Sequence, residues 1–508
     1  MMKRRDFLSA TAASGVMLSS PRIVLAAGKL LPTHVPDQPF LNWFNVDGVV
    51  MRRVMGELVA HGADAADLYF EHNRGNSITM EDRIISSARS WIEQGVGLRV
   101  VIGDQTGYAY TEDLSLEAML EAARTAAAIA RGGKAVPPRH FNVSRAGDMY
   151  RIAMPWSAVK VDDKLALVRK LEKLARQQDS AVKKVTINWS DYEQQVVMAT
   201  LDGRIVADYR PMTRLWCTVT AEKHGVQQST SANLSGRYGM DHYTDERLQA
   251  LAKKAVDNTL VLFDARRPPA GEMPVLLAAG ASGILLHEAI GHGMEADFNR
   301  KGTSIYSDML NKKVANPQVT IVDQGNLPHE RGALNYDDEG NAARRNLLVD
   351  KGILRSYLHD GISARHYKVP PSGSGRRESY RHAPMPRMTC TYMEDGPHSR
   401  EEMIASMKKG IVAETYTNGQ VSIGAGDFTF YIKNGWLVEN GRITAPIKDC
   451  NIIGNGPQVL KDISMVGNDS HMDTGGWTCG KNGQSVPVSL GMPSVLVSKL
   501  TVGGEHAG

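Results

Sequence analysis

Two histidines and a glutamate in the segment 287–292, which reads His-Glu-Ala-Ile-Gly-His, constrain this chain more than any other feature. Imidazole nitrogens are good zinc ligands, and a neighbouring carboxylate can take a proton from water. In the familiar HExxH pattern the histidines stand four residues apart on one helical face, whereas His287 and His292 are five apart. On a regular helix this spacing turns them about 140° away from each other. The pair can share one ion only if the helix is distorted.

A π-helical turn would bring the two histidines back to one side, because its i→i+5 hydrogen bonds match their spacing. Gly291 between the histidines and Gly293 beyond them are expected to make this rewinding easier. Ser282 is expected to cap the helix, which follows an apolar, strand-like run at 274–279. The sequence therefore predicts a locally rewound helix in apolar surroundings.

A catalytic zinc site usually takes three protein ligands and a water, so one ligand lies outside the motif. The spacing leaves five candidates open: Glu295, Asp297, His382, His471 and Cys479. Cys479 lies between glycine-rich turns, where a thiolate could be presented to a metal. With zinc in place, Glu288 would take the proton of the attacking water and deliver it to the leaving amine. The motif thus favours a metal-dependent hydrolase.

The first 27 residues have the order of a secretory signal peptide. The paired Arg4 and Arg5 precede a short apolar run and small residues that end near Ala27. This run is shorter than the ~20 residues that span a bilayer, so no stable membrane span is expected. The arginines, followed by Phe7 and Leu8, resemble the twin-arginine export signal, whose pathway carries folded proteins. We predict a cleaved leader and a periplasmic protein; the alternative is a cytoplasmic protein with a basic N-terminus.

The charge of the mature chain excludes some partners. The leader holds four basic residues and one acidic residue, so the formal charge of +4 falls to +1 when it is removed. A nearly neutral chain gives no electrostatic reason to expect binding to nucleic acid or to an acidic membrane surface. Its four cysteines are scattered without a CxxC pair and do not indicate a disulfide scaffold.

The rest of the chain divides at the Arg-Arg-Pro-Pro run of 266–269. In residues 28–267, helix-period and strand-period runs occur twice in the order helix, strands, helix, which predicts an N-terminal α/β domain with helices flanking sheets and a duplicated architecture. Residues 268–508 consist of short runs punctuated by Gly and Pro, with helices predicted only at the motif and at 401–409. The expected fold class is α+β, with a C-terminal β-rich domain that carries the metal-binding helix.

Short segments throughout the chain add a specific pattern to the motif at 287–293. They lie at 95–97, 107–110, 375–380, 384–388, 451–456, 479–487 and 500–504. With the motif, they resemble the TldD-type members of the TldD/PmbA family of metalloproteases over nearly all of the mature chain. The resemblance implies a metalloprotease domain at 268–508 whose metal ligands are His287, His292 and Cys479, with Glu288 as the catalytic base. The implied metal is zinc, although Fe²⁺ or another divalent ion also accepts these ligands.

The resemblance also implies a site enclosed between two subunits. The second subunit is either another copy of this chain or a PmbA-type subunit that lacks the motif. The expected activity is endopeptidase cleavage of unfolded peptides bound as extended strands. The alternative is a non-proteolytic metal-binding subunit or assembly factor. The leader is not typical of the cytoplasmic family members, and His471 adds a rival ligand near Cys479.

A run of basic and aromatic residues is the candidate for substrate binding. Arg376 and Arg377 could grip a peptide carboxylate or backbone carbonyls, and Tyr380 or His382 could stabilise the oxyanion. The alternative is a loop-fixing cluster in which the arginines pair with Glu378. Sequence alone leaves both open.

Overall fold

The computed structural model describes residues 35–130, 132, 137–144, 147–422 and 425–504. The predicted leader at 1–27 lies outside the described residues. The described chain is mixed α+β, as predicted from the sequence. None of the helices in the described part of the chain is long and apolar enough to cross a bilayer.

The N-terminal half contains one sheet with long antiparallel strands. Its helices are α1 Pro39–Phe44, α2 Gly48–Leu58, α3 Leu116–Ile129, α4 Val161–Gln178 and α5 Asp245–Leu260. Its strands are β1 Ala65–Glu81, β2 Ile84–Ile102, β3 Gln105–Thr111, β4 Asn142–Ser144, β5 Val182–Thr200, β6 Arg204–Lys223 and β7 Val226–Gly236. They pair in the order β3-β2-β1-β5-β6, and both β7 and the short parallel β4 pair with β6. The expected duplication is present as α2-β1-β2-β3-α3 and α4-β5-β6-β7-α5, but within one sheet rather than several.

The alternation of side chains along the strands gives this sheet two different faces. Leu68 and Val197 belong to the face that packs in one apolar cluster with α2 and α3. A second cluster on the same side joins the far ends of the strands to α4 and α5. The opposite face carries Tyr69, which clusters with Tyr336 and Tyr380 of the C-terminal half. The helices therefore cover one side of the sheet, and the C-terminal half covers the other.

Buried ion pairs also join the two halves. Arg99 contacts Asp67 at 2.5 Å and Glu339 at 2.7 Å, and Arg377 contacts Asp67 at 2.8 Å. All four side chains are buried, so each charge depends on its partners for compensation. The contact between the halves is therefore fixed by charge pairing as well as by apolar packing.

The C-terminal half contains two larger sheets. Its first strands are β8 Gly271–Leu277, β9 Ile321–Gln324, β10 Arg345–Asp350, β11 Ile353–Leu354, β12 Gly375–Arg376, β13 Met385–Pro386, β14 Cys390–Met393 and β15 Lys409–Val421. The others are β16 Asp427–Glu439, β17 Arg442–Ile447, β18 Cys450–Asn455, β19 Ile463–Val466, β20 His471–Met472, β21 Thr478–Lys481, β22 Gln484–Pro487, β23 Ser489–Met492 and β24 Val495–Gly503. Strands β15, β8, β24, β18 and β16 form a closed ring, because β16 also pairs with β15. The second sheet has the order β11-β10-β9-β14-β23-β20.

The helices of this half are short, and three of them were not predicted. They are α6 Gly283–Leu286, α7 Ala296–Arg300, α8 Gly361–Tyr367, α9 Arg400–Ser406 and α10 Gly456–Asp462. Helices α7, α8 and α10 were not expected, because five to seven residues are too few to give a periodic apolar pattern. The predicted helix at 401–409 begins at Arg400, behind a capping box of Ser399 and Glu402, and ends at Ser406. Its expected last residue, Lys409, already belongs to β15.

Candidate metal centre

The motif helix changes its winding at the first histidine. Helix α6 continues as a π-helical turn over His287–Gly291 and then as a 3₁₀ turn over His292–Met294. The two imidazole rings come to a centroid distance of 5.0 Å, with an angle of 82° between their planes. The π turn predicted from the five-residue spacing is confirmed.

The role of Gly291 differs from the expected one. Its backbone has φ −58° and ψ −53°, in the right-handed region that every residue adopts, so the rewinding does not need a glycine. Met388 instead packs onto it, and a Cβ at this position would lie 2.0 Å from the Met388 sulfur. Ser282 also departs from expectation, because it makes no capping hydrogen bond; its hydroxyl lies 3.0 Å from that of Tyr416.

The motif segment is held between the two C-terminal sheets. Leu286, Ile290 and Met294 are buried in the main apolar cluster of this half. Helix α6 contacts β14 and β23, and the π turn contacts β15, β16 and α10. A helix that is apolar on all sides is stable only in such surroundings. The sequence around the histidines therefore fixes their depth in the protein.

A tight hairpin presents Cys479 to the histidines. Strands β21 and β22 pair antiparallel, and Cys479 lies opposite Val486. Asn482 and Gly483 connect the strands with φ values of 50° and 75°. This Asn-Gly pair is a strong sequence signal for a two-residue hairpin turn. The signal locates the hairpin but does not reveal which segment it meets.

The structure brings together His287, His292 and Cys479. All three are buried, and one ligand atom from each lies within 4.8 Å of the others. The Cys479 sulfur is 3.4 Å from Nε2 of His292. This is the one group of three potential ligands found among the described residues.

The four other candidates for the third ligand do not belong to this group. His471 is exposed on β20, with Nδ1 3.1 Å from the Asp469 carbonyl oxygen. His382 is partly exposed, and Asp297 and Glu295 contact Lys481. The geometry thus favours Cys479, as the family resemblance implies.

The electrostatics of the group suit a metal ion. Burial by itself raises the pKa of the Cys479 thiol. The adjacent His287 and His292 lower this pKa by more than burial raises it, so that its net value is about 4. The thiolate, which is the metal-binding form, is therefore the stable one. Nδ1 of His287 is buried and has no hydrogen-bond partner in the described structure. A thiolate and two imidazoles are ligands that zinc and iron accept, so these residues fit a divalent metal.

A buried carboxylate supports the second histidine. Nδ1 of His292 is 3.0 Å from Oε2 of Glu295, and Nζ of Lys481 is 3.0 Å from the same oxygen. Lys481 also contacts Asp297 at 2.8 Å. Burial raises the pKa of Glu295, but Lys481 and His292 lower it to about 2. Glu295 therefore turns Nε2 of His292 towards Cys479 rather than acting as a ligand itself.

Two residues that the sequence reasoning missed connect this carboxylate to the Cys479 hairpin. Lys481 lies two residues after Cys479 on β21, on the same side of the strand. Arg387 donates a hydrogen bond to the Cys479 carbonyl, and its Nε is 3.9 Å from Oε1 of Glu295. The two-residue spacing of Lys481 is a signal that could have been used. Arg387 carries no such signal.

Glu288 is next to His287 in the chain but does not belong to the ligand group. It follows His287 on the π turn and is half-buried, whereas both histidines are buried. It is not part of the close ligand group. The carboxylate of Glu288 is thus not one of the grouped metal ligands.

The two arginines proposed as substrate ligands have partners inside the chain. Arg376 donates to the carbonyls of Met388 at 2.6 Å and Pro487 at 2.7 Å. Arg377 pairs with Asp67 and donates to the Asp338 carbonyl at 2.7 Å. Both are buried, which fits the loop-fixing alternative.

That alternative named Glu378 as the partner of the two arginines, and this part of it is wrong. Glu378 accepts a hydrogen bond from the Ser485 amide at 2.7 Å and pairs with neither arginine. The ring of Tyr380 packs against Gly95, and its hydroxyl is 3.3 Å from Glu112. An oxyanion role for Tyr380 or His382 stays a prediction.

Three family models match this chain. The model of the PmbA/TldA metallopeptidase C-terminal domain matches residues 270–504. The models of domain 1 and of the central domain match residues 66–130 and 155–263. Together they cover both halves of the described structure.

Several relatives resemble the chain over nearly their whole length. It is 40% identical over 485 residues to a metalloprotease TldD homolog of Haemophilus influenzae, covering 94% of this chain and 98% of that protein. It is 30% identical over 449 residues to a zinc metalloprotease TldD homolog of Saccharolobus solfataricus, covering 87% and 97%. The crystal structure of TldE from Thermococcus kodakarensis is similar, with a TM-score of 0.70 and 17% identity over 90% of this chain and 100% of that one. At this identity the last likeness concerns the fold alone.

Proposed function

Because this chain belongs to the PmbA/TldD family of metallopeptidases, we propose that it is a zinc-dependent endopeptidase that cleaves unfolded or extended peptides. One observation carries the proposal. His287 and His292 of the motif helix and Cys479 of a distant hairpin place their ligand atoms within 4.8 Å of one another in a buried site, and Glu288 directly follows the first of them in the chain.

The residues of the site have separate roles in this proposal. His287, His292 and Cys479 hold the metal, which when bound supplies a Lewis acid for the scissile carbonyl and for water. Glu288 takes a proton from the attacking water and passes it to the leaving amine. Two imidazoles and a thiolate favour zinc, and one relative is named a zinc metalloprotease; Fe²⁺ accepts the same ligands.

The alternative is a non-proteolytic metal-binding subunit or assembly factor. Structural zinc sites usually fill all four positions with protein ligands, whereas catalytic sites keep one position for water or substrate. Three ligands group together among the described residues, and a carboxylate follows the first of them. Both features support the peptidase over the alternative.

We also propose a two-subunit assembly in the periplasm. The paired arginines at the N-terminus support export, and the family resemblance supports pairing with a second copy or with a PmbA-type subunit. Cell fractionation with N-terminal sequencing of the purified chain tests the export. A full-length, unprocessed chain in the cytoplasm would exclude it.

Cleavage of unstructured peptides and metal content, measured on the same samples, test the function. The mature chain is assayed with and without a PmbA-type partner, beside Glu288→Gln, Cys479→Ala and a matched control, Cys450→Ala. Cys450 is also a buried free cysteine, but it lies on β18, outside the ligand group. Glu288→Gln should keep its metal and lose about 10²- to 10⁴-fold in rate. Cys479→Ala should lose metal and activity, and Cys450→Ala should keep both.

One outcome would replace the proposal with the alternative. In that outcome the wild type cuts no peptide with or without the PmbA-type partner, while the wild type and Glu288→Gln hold equal amounts of metal. Full metal occupancy in Cys479→Ala would instead remove Cys479 from the ligand set.

A further inference from the structure

A groove of about 610 Å³ adjoins the segments that carry the metal ligands. Ala281, just before the motif helix, and Thr478, just before Cys479, both line it. Tyr416 lines it as well, and its hydroxyl is 3.0 Å from that of Ser282 at the start of the same helix. The groove therefore borders both segments that carry the metal ligands, while His287, His292 and Cys479 themselves do not line it.

The walls of the groove are rich in hydrogen-bonding side chains. One wall is residues 229–233 of β7, a strand that pairs only with β6 among the described strands. The other walls include Thr415 and Thr417 of β15 and the segment 473–478, which leads into β21. Oδ1 of Asn233 is buried there without a hydrogen-bond partner in the described structure. Such walls suit the backbone of an extended peptide, which needs donors and acceptors along its length.

The charges of the groove are unbalanced. Arg214, Lys254 and Lys433 line it, and within the described residues none of them forms an ion pair. The acid in the lining, Asp473, already accepts hydrogen bonds from the Trp477 indole at 2.6 Å and from a backbone amide at 3.1 Å. The groove therefore presents positive charge that the described chain does not neutralise.

Arg214 is the best placed of the three basic residues to bind an anion. Its guanidinium stacks on the ring of Trp216, 4.4 Å from the centroid, which holds the plane of the group. Its Nε is buried and has no hydrogen-bond partner among the described residues. Burial also lowers the pKa of Arg214, as expected for a cation without a carboxylate beside it. A planar, fixed guanidinium matches the two oxygens of a carboxylate.

We propose that this groove binds the substrate on one side of the scissile bond and selects peptides with acidic side chains there. The inference rests on the proposed peptidase function and narrows its substrate class to extended, anionic peptides. The occupant is an Asp or Glu side chain of the peptide, with its carboxylate at Arg214 and near Lys254 and Lys433.

The test compares peptides that differ only in charge. Each contains either Glu or Gln at the positions flanking the cleavage site, and each is prepared with an amidated and with a free C-terminus. The ratio of kcat/KM for the Glu peptide to that for the Gln peptide is measured for the wild type and for Arg214→Gln, Lys433→Met and Lys253→Met. Lys253 is the matched control: it neighbours Lys254 on α5, pairs with Asp257 at 2.5 Å and does not line the groove.

The wild type should prefer the Glu peptide by up to about fivefold for each ion pair that forms, because one ion pair contributes up to ~1 kcal/mol. Arg214→Gln and Lys433→Met should each reduce the ratio severalfold, and Lys253→Met should leave it unchanged. The preference should also shrink as salt is added. Lys433→Met keeps the test valid if Arg214→Gln does not fold.

Three outcomes would overturn the inference in distinguishable ways. Equal cleavage of both peptides would leave the peptidase function intact and remove the acidic preference. A preference that appears only for peptides with a free C-terminus would assign the groove to the chain end instead. Absence of cleavage, together with no binding of labelled peptides to Glu288→Gln, would remove the proposed function and the inference with it.

Discussion

Replacing Glu295 by Gln should weaken metal binding without removing a metal ligand. The carboxylate accepts the Nδ1 proton of His292 at 3.0 Å, which leaves Nε2 as the nitrogen that faces Cys479. A glutamine can keep one hydrogen bond but loses the charge that holds Lys481 on the same oxygen. The imidazole then loses both its fixed orientation and the negative charge that increases its basicity.

The size of the effect follows from these contacts. Removing such a supporting partner typically costs 10- to 100-fold in metal affinity, or about 1.4 to 2.8 kcal/mol. The metal-free chain should lose less than the ~3 to 5 kcal/mol expected for breaking an isolated buried pair. Lys481 retains Asp297 at 2.8 Å and the Pro386 carbonyl at 3.1 Å, so its charge is not left alone.

Zinc competition with a chelator of known affinity measures this effect at fixed pH. Asp297→Asn is the matched control, because Asp297 contacts Lys481 but lies outside the ligand group. Thermal unfolding of the metal-free variants checks that each is folded. The reasoning fails if Glu295→Gln binds zinc as tightly as the wild type, or if Asp297→Asn weakens binding equally.

Three further variants test the packing and electrostatics of the fold. Gly291→Ala should lower stability by about 1 to 3 kcal/mol in thermal unfolding, because the new Cβ would meet the buried Met388 sulfur; an unchanged Tm would contradict this packing. Arg377→Met should cost about 1 to 3 kcal/mol in urea unfolding, less than the loss of an isolated buried pair because Asp67 keeps Arg99, and a cost below ~1 kcal/mol would contradict the pairing. Burial raises the pKa of Glu71 from 4.5 to about 7, so the native state holds a proton that the unfolded state has released, and stability should fall as pH rises through this window. Glu71→Gln should reduce this loss of stability between pH 5 and pH 7, measured by urea unfolding. If the wild type and Glu71→Gln lost the same stability between these pH values, the raised pKa of Glu71 would be refuted.

The winding of the motif helix could be predicted because it depends on chain geometry alone. Two histidines five residues apart can face one ion only through a π turn, and the structure has that turn at His287–Gly291. The reason for glycine at 291 could not be predicted, because it depends on the contact with Met388, a distant residue. Local geometry was available from the sequence, whereas the packing partner was not.

The third ligand and the two arginines also depended on packing partners that the sequence does not reveal. Spacing left five residues open as ligands, and only the position of the β21–β22 hairpin brings Cys479 to the histidines. Arg376 and Arg377 looked equally suited to bind a substrate or to fix a loop. Their partners, including Asp67 in the other half of the chain, depend on how the two halves pack. A pattern of charges does not contain that information.

X-ray absorption at the metal edge of the purified protein tests the central claim most directly. We predict one zinc per chain with one sulfur ligand at about 2.3 Å and two imidazole nitrogens at about 2.0 to 2.1 Å, and loss of the bound zinc in Cys479→Ala. A metal surrounded only by nitrogen and oxygen in the wild type, or a chain that binds no stoichiometric divalent metal, would contradict the assignment of His287, His292 and Cys479 as its ligands.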